Sequence, residues 1–362
     1  MCASDLLRGL ELAPVQDQTQ VPIGPLTSLR VGGPAGRLRT VTTPAELVEA
    51  VAAADAAGQP LLVLAGGSNV VVGDEGFPGT VVLVRTRGVA TLRDGTGATR
   101  LTVQAGEPWD DLVARCVADG LSGLECLSGI PGSTGATPIQ NVGAYGQEVA
   151  DTIVAVRAYD RAERRVVELS RSDCRFSYRQ SRLKHTDRFV VLDVTFGLTP
   201  EGLSRALRYA ELAAAVGEDI GGRVPLAQVR QAVLELRRRK GMVIDPGDAD
   251  TTSAGSFFTN PVVTTGEFDR LVRKAGAVPP HWPQPGSLVK LSAAWLIEQA
   301  GFSKGFGRGR VAISSKHSLA LTNRGDATAA ELIALAGEIR ARVREAFGVD
   351  LVNEPVLVGL RW

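Results

Sequence analysis

Histidine is scarce: His185, His281 and His317 stand too far apart in the chain to suggest a metal site. Cysteine is hardly commoner. Cys2, Cys116, Cys126 and Cys174 form no CxxC pair and no metal-ligand spacing, so they read as the reduced thiols of a cytoplasmic, metal-free protein. Nowhere do about eighteen apolar residues run together, which excludes a membrane-spanning helix. The opening MCASDLLRGLELAP has neither the basic start nor the apolar run of a secretory leader. An excess of one charge is missing too. With 40 basic and 39 acidic residues the formal net charge is +1, so no summed field draws in nucleic acid or an anionic membrane. Any anionic ligand must be held by a local arrangement of groups. GxGxxG and the Walker A pattern are both absent, so a nucleotide binds by neither of those routes.

What is present is an ordinary soluble mixture, 44% hydrophobic and 22% charged over 362 residues, enough for two or three modest domains. Thr43-Pro44-Ala45-Glu46 is a capping box with proline at the first helical position, so a helix is expected to run from there to Gly58. Apolar runs at Leu61–Leu64, Val70–Val72 and Thr80–Val84 predict strands, with Ala65-Gly66-Gly67-Ser68-Asn69 between the first two. A strand is expected at Arg100–Ala105, followed by a helix bearing Trp109, Leu112, Val113, Cys116 and Val117 on one face and ending at Gly120. Further strands are predicted at Ile153–Tyr159, Arg165–Leu169 and Phe189–Phe196. Thr199–Gly222 looks like an insertion with a short helix near Leu207–Val216. Helix is expected from Pro225 to Lys240, and again from the capping box Thr328–Glu331 to Gly348. A last strand follows at Val356–Val358.

The segment Leu127–Gly146, LSGIPGSTGATPIQNVGAYG, breaks every regular pattern with five glycines and two prolines. Glycine lets backbone amides close around an anion and point several N–H groups at it. Gly66-Gly67-Ser68-Asn69 can cradle a pyrophosphate in this way, and so can Gly129-Ile130-Pro131-Gly132-Ser133 and Gln140-Asn141-Val142-Gly143-Ala144-Tyr145-Gly146. Each loop is equally readable as a set of tight turns. On residues alone the argument stops at a protein that binds something phosphorylated.

AGGSN followed by GIPGSTGATPIQNVGAYG resembles the FAD-binding half of the UDP-N-acetylenolpyruvoylglucosamine reductases, which share a flavin-binding fold with the vanillyl-alcohol oxidase group. YRQSRLK, AGSFFTNP and the closing NEP resemble that family's remaining blocks in the same order. The resemblance runs from about Ile23 to Gly359. It implies an α+β fold: a two-lobed FAD-binding unit of the vanillyl-alcohol oxidase type plus an α+β substrate-binding domain. The implied parts are residues 1–90 together with a terminal strand within 354–362, residues 91–222, and a substrate part over residues 223–353. Neither glycine loop carries histidine, the usual tether, so a non-covalent FAD is expected. Gly66, Gly67, Ser68, Asn69, Gly129, Ile130, Pro131, Gly132, Ser133, Gln140, Asn141, Gly143, Ala144 and Tyr145 are its expected contacts.

The implied activity is that of a UDP-N-acetylmuramate dehydrogenase of peptidoglycan synthesis. NADPH reduces FAD, which then reduces the enolpyruvyl group of a UDP-sugar. Hydride reaching the vinyl carbon leaves carbanion character beside a carboxylate, so the site needs a cation there and a proton donor. By resemblance Arg179 takes the carboxylate, its planar fork suiting bidentate binding. Glu354 shares in stabilising the enolate, and Ser256 donates the proton. Picked without that resemblance, the same three read as a surface arginine, a strand-end carboxylate and a core serine. Tyr178, Tyr209, Lys240, Asn260 and Lys304 match substrate contacts, with Tyr209 on a lid over the uridine and diphosphate. Their plain alternatives are a packing tyrosine for Tyr209 and, for Arg237-Arg238-Arg239-Lys240, a solvated basic face at a helix end. The expected partners are the UDP-sugar and NADPH, with no nucleic acid, membrane or obligatory oligomer. Two rival readings remain: another non-covalent flavin oxidoreductase on this fold, and a non-catalytic UDP-sugar or FAD-binding module.

Overall fold

The computed structural model describes residues 17–93 and 97–362, so Cys2 and the opening MCASDLLRGLELAP lie outside the described residues. Two compact units emerge. Among the described residues the first comprises residues 17–21, Ala35–Gly66 and Pro78–Val243; the second comprises Pro22–Pro34, Gly67–Phe77 and Ile244–Trp362. Residues 223–243, expected to open the substrate-binding part, pack within the first unit.

Two sheets shape the first unit. One carries Gln18–Pro22, Pro34–Val41, Phe77–Val84 and Leu61–Leu64 in that order, with Leu61–Leu64 parallel to Thr80–Leu83. The other is antiparallel throughout, in the order Arg165–Ser170, Ile153–Asp160, Phe189–Leu198, Thr99–Gln104 and Val89–Arg93. The helix Pro44–Ala56 starts on the expected capping box, Thr43 and Glu46 satisfying each other's backbone N–H. The helix Trp109–Ala118 buries Trp109, Leu112, Val113 and Cys116, the face its periodicity predicts. Each large apolar side chain so buried contributes about 1.5–3 kcal/mol.

The insertion departs from expectation. Its helix is Ala210–Val216, not Leu207–Val216, and Tyr209 is its extended N-cap residue. Leu207 is drawn out of the helix because its backbone pairs with a glycine turn. Its N–H donates to Gly222 O (3.0 Å) and its carbonyl accepts from Gly221 N (2.8 Å). Leu207 and Leu212 then join Val229, Val233 and Leu236 of the helix Leu226–Arg239 in a small separate core.

The second unit holds an antiparallel sheet in the order Ser253–Ser256, Ala320–Asn323, Val311–Ile313 and Gly307–Arg308. A three-stranded sheet of Val262–Thr264, Leu288–Leu291 and His281–Gln284 lies in the same unit. The helix Ala329–Phe347 begins on the capping box of Thr328 and Glu331, and Asp74 takes two more of its leading N–H groups, from Ala329 (2.7 Å) and Ala330 (2.9 Å). Leu332, Leu335, Ile339 and Val343 form its buried stripe. The terminal strand Val356–Val358 runs parallel to Val70–Val72, so the end of the chain is anchored beside Asn69.

Candidate active site

The glycine loops are built by close backbone approach. A Cβ on Gly66 would stand 2.4 Å from the Gly132 Cα, so the loops 65–66 and 129–133 meet where only glycine fits. Gly67, at φ +59°, turns so tightly that a Cβ would lie 2.1 Å from Leu26 O. Trp109 grips both ends of the second loop: its amide donates to Gly132 O (3.0 Å) and its indole Nε1 to Leu127 O (3.1 Å). Asp110, next in the helix, accepts the Gly129 N–H at 2.6 Å and pairs with Arg230 at 2.6 and 2.9 Å. Burial works against the Asp110 charge, yet Arg230 and the Gly129 N–H outweigh it and hold the carboxyl below its usual range. Ser133 is buried, while Ile130, Pro131 and Gly132 are half-buried, as are Ser68 and Asn69. The close approach of Gly66 to Gly132, with Asp110 and Trp109 fixing the loop 127–132, leaves a glycine-lined backbone suited to the diphosphate of a dinucleotide such as FAD.

Asn141 is spent inside the protein. Its amide donates to Glu148 Oε2 (2.7 Å) and Ser177 O (3.0 Å), and its Oδ1 accepts from Ala150 N (3.2 Å). The Ser177 bond ties residues 139–143 to the two-residue turn of Tyr178 and Arg179. Arg179 stands at φ +53°, a conformation that costs a non-glycine residue on the order of 1 kcal/mol and marks a constrained position. Its guanidinium donates to Asn141 O (3.3 Å) and Gly143 O (2.5 Å), with its centre 5.3 Å from the Tyr178 ring. Gln140 and Ala144 are half-buried beside this turn's anchor points.

A second grouping in the same unit joins Tyr145, Tyr209 and Lys240. The two rings meet edge to face at 5.5 Å, and the Lys240 ammonium lies 5.7 Å from the Tyr145 centroid while bonding Glu211 at 2.7 Å. Burial pushes the Tyr145 phenol up to about 12, so it stays neutral at ordinary pH. The sequence reading gave Tyr145 to the cofactor and the other two to the substrate; the structure brings all three together. The basic run before Lys240 is not uniformly solvated. Arg237 is buried because it continues the inward row of Val229 and Val233, and its Nε has no hydrogen-bond partner.

In the second unit Ser256 and Glu354 come together on paired segments. The Glu354 N–H donates to Phe257 O (2.8 Å), and Phe258 forms a bridge with Asn353. Asn69 joins them, its Nδ2 reaching Glu354 O (3.4 Å) and its carbonyl accepting from Val356 N (3.0 Å). Phe257 and Phe258 are fully buried behind Ser256. His317, unassigned by the sequence reading, lies with its Nε2 3.4 Å from Ser256 Oγ. Asn260 Oδ1 accepts the Ala293 N–H (3.0 Å) at the start of the helix Ala293–Gln299, and Lys304 is exposed. Arg179 belongs to the first unit, Ser256 and Glu354 to the second. Among the described residues no cluster of three or more histidine, cysteine or acidic side chains is placed to hold a metal ion, and no helix is long and apolar enough to cross a membrane. Cys116, Cys126 and Cys174 are buried free thiols; burial pushes Cys116 up to about 12, Cys174 up to about 11, and raises Cys126 as well.

The fold and its glycine cradle define an α+β flavoprotein, and residues 36–170 match the model of the FAD binding domain. Residues 245–358 match that of the C-terminal domain of UDP-N-acetylenolpyruvoylglucosamine reductase. A UDP-N-acetylenolpyruvoylglucosamine reductase of Streptomyces coelicolor is 57% identical, over 96% of this chain and 92% of its own. One from Mycolicibacterium smegmatis is 50% identical over 99% and 98%. The solved structure of the reductase from Thermus caldophilus superposes with a TM-score of 0.63 at 27% identity, covering 95% of this chain and 99% of that one. The chain belongs to the UDP-N-acetylenolpyruvoylglucosamine reductase family.

Proposed function

We propose that the chain reduces the enolpyruvyl group of UDP-N-acetylglucosamine enolpyruvate to UDP-N-acetylmuramate, with Arg179, Ser256 and Glu354 as the catalytic residues. When bound, FAD supplies the hydride relay between NADPH and the enolpyruvyl group. Gly66, Gly67, Ser68, Asn69 and the segment 129–145 hold it without a covalent bond, through backbone donors rather than a tethering side chain. Arg179 binds the substrate carboxylate; its fork offers five N–H donors and keeps its charge at any working pH. Glu354 steadies the developing enolate, either protonated or through a bound water. Ser256 delivers the proton to the new stereocentre. Lys240, Tyr209 and Tyr145 form a cationic and aromatic patch for the uridine diphosphate, with Tyr178, Asn260 and Lys304 as further substrate contacts.

The observation that supports this reading is the backbone pairing of residues 257–258 with 353–354, which joins the segment after Ser256 to the segment that carries Glu354. The test is optical. The purified protein is expected to be yellow, to release free FAD on denaturation, and to bleach with NADPH. Bleached protein should regain its colour on addition of the UDP-sugar without oxygen. Bleaching with no such recovery would favour a flavin oxidoreductase for another substrate, and no flavin at all would leave only a binding module.

A further inference from the structure

We propose that His317 is the positioning and proton-resupplying partner of Ser256, so that the donor in this reaction is a serine–histidine relay and not an isolated hydroxyl. The inference rests on the assignment of Ser256 as proton donor.

A serine hydroxyl that merely faces solvent is a poor acid and rotates freely. A neighbouring N–H changes both properties. If His317 Nε2–H donates to the Ser256 Oγ lone pair, the hydroxyl proton is left to point away from the imidazole, toward substrate. The 3.4 Å separation is long for a finished hydrogen bond, as such contacts often are before substrate tightens them.

The loop that carries His317 is built to hold it there. It joins Val311–Ile313 to Ala320–Asn323, and Ala320–Asn323 pairs with Ser253–Ser256 itself. Carboxylates fix the loop from other elements. Asp250 accepts the Ser315 N–H (2.9 Å), Asp248 takes the Lys316 ammonium, and Glu298 takes the Ser318 hydroxyl. Asp250 is buried and also pairs with Arg324 at 3.3 Å. Residues 315, 316 and 318 are thus all tied down around His317, at a density of bonds an idle surface loop does not need. The charged groups on the elements packed about the loop are Asp248, paired with Lys316, Asp250, paired with Arg324, and Glu298, with Lys304 and Arg310 on the segments that bond Ser314 and Arg324 and Glu354 on the segment beside Phe257.

The proton balance closes within the pair. The substrate carbanion forms its C–H bond as the Ser256 O–H bond breaks. The Nε2 proton of the imidazolium passes to Oγ, leaving neutral His317 with its proton on Nδ1. Half-buried, His317 then regains a proton from solvent. No oxidant or co-reactant is involved.

The test compares His317→Phe and His317→Gln in the full chain loaded with FAD. His317→Phe should leave FAD content, the NADPH half-reaction and UDP-sugar affinity within about twofold of normal, which also certifies folding. Its reoxidation by the UDP-sugar should slow by roughly tenfold to a hundredfold, within the worth of a positioned acid–base group. His317→Gln can still donate an N–H to Oγ but has no proton to pass on. It should recover part of the rate while losing the decline that the unaltered protein shows as pH rises through the histidine titration. Without flavin, ¹⁵N-histidine NMR of the full chain should show the His317 ring signals and titration midpoint moving on Ser256→Ala. Normal reoxidation in His317→Phe with an unchanged pH profile overturns the relay while leaving Ser256 as donor. Normal reoxidation in Ser256→Ala overturns the assignment on which the relay rests.

Discussion

At the scale of single residues, chemistry and placement were legible to different degrees. Ser256 and Glu354 stood nearly a hundred positions apart in a sequence that said only what each was like, and the structure pairs their segments. Removing the Ser256 hydroxyl is the sharpest check on its role. A proton donor to the UDP-sugar, the role proposed for this serine, takes no part in moving hydride from NADPH, so Ser256→Ala should leave that half-reaction near normal in stopped flow. Reoxidation by the UDP-sugar should slow by about a hundredfold to ten-thousandfold. Ser256→Cys should restore some rate, since a thiol can still donate. Tyr209 invites a milder change. It is 44% exposed and meets Tyr145 edge on, so Tyr209→Phe keeps the ring contact and loses only the hydroxyl. KM for the UDP-sugar should rise about twofold to tenfold, the worth of one hydrogen bond, with kcat almost unchanged. A large fall in kcat at constant KM would contradict the lid role. The contact of His317 with Ser256, and the bonding of Asn141 to Glu148, Ser177 and Ala150 in place of the cofactor contact expected of it, were not legible in the sequence for one reason. A histidine three positions before a strand, or an asparagine among glycines, carries no local sign of what long-range contact it makes.

At the scale of elements, caps and periodicity read well and backbone pairing read poorly. Thr43–Glu46 and Thr328–Glu331 open helices where their spacing says they should. The same device at Thr264–Glu267 opens the helix Thr265–Ala275, which went unread. Leu207 had helical neighbours and helical polarity, but Gly221 and Gly222, further along the chain, capture its backbone first. Arg237 shows periodicity misapplied: a run of four cations suggests a wet helix end, yet positions 229, 233 and 237 share the inward row. Asp110 shows what a motif search passes over, since it lies outside the glycine loop that it anchors. Its depressed carboxyl contributes stability that is present above the unfolded-chain value near pH 4 and lost as pH falls through the lower folded value. Asp110→Asn should therefore lower stability at neutral pH by about 1–3 kcal/mol, with a shallower decline on acidification. FAD should also dissociate more readily, because the Gly129 N–H loses a charged acceptor. Thermal melts across pH, with and without added FAD, read both effects. A variant as stable as the parent at neutral pH would show that Arg230 and Gly129 find other partners.

At the scale of the whole molecule, the class of fold was legible because five blocks of sequence occur in family order. The division into units was not: the helix Leu226–Arg239 follows the insertion in sequence but shares a core with it. The reaction imposes one last constraint on the complete protein. Hydride must leave NADPH and later reach the vinyl carbon, and the proton donor is needed only in the second event. One proposed set of catalytic residues, Arg179, Ser256 and Glu354, serves the UDP-sugar. If both substrates use that one site in turn, neither can be present while the other reacts. Double-reciprocal plots at several fixed NADPH concentrations should then be parallel, the signature of a double-displacement scheme. Each substrate should also inhibit at high concentration by competing for the form of the protein that the other requires. Arg179→Lys separates the two events. It keeps the charge but loses the planar fork, so it should raise KM and lower kcat for the UDP-sugar while the rate of bleaching by NADPH stays near normal. Intersecting lines, or a measured complex holding both substrates at once, would show that NADPH has a place of its own.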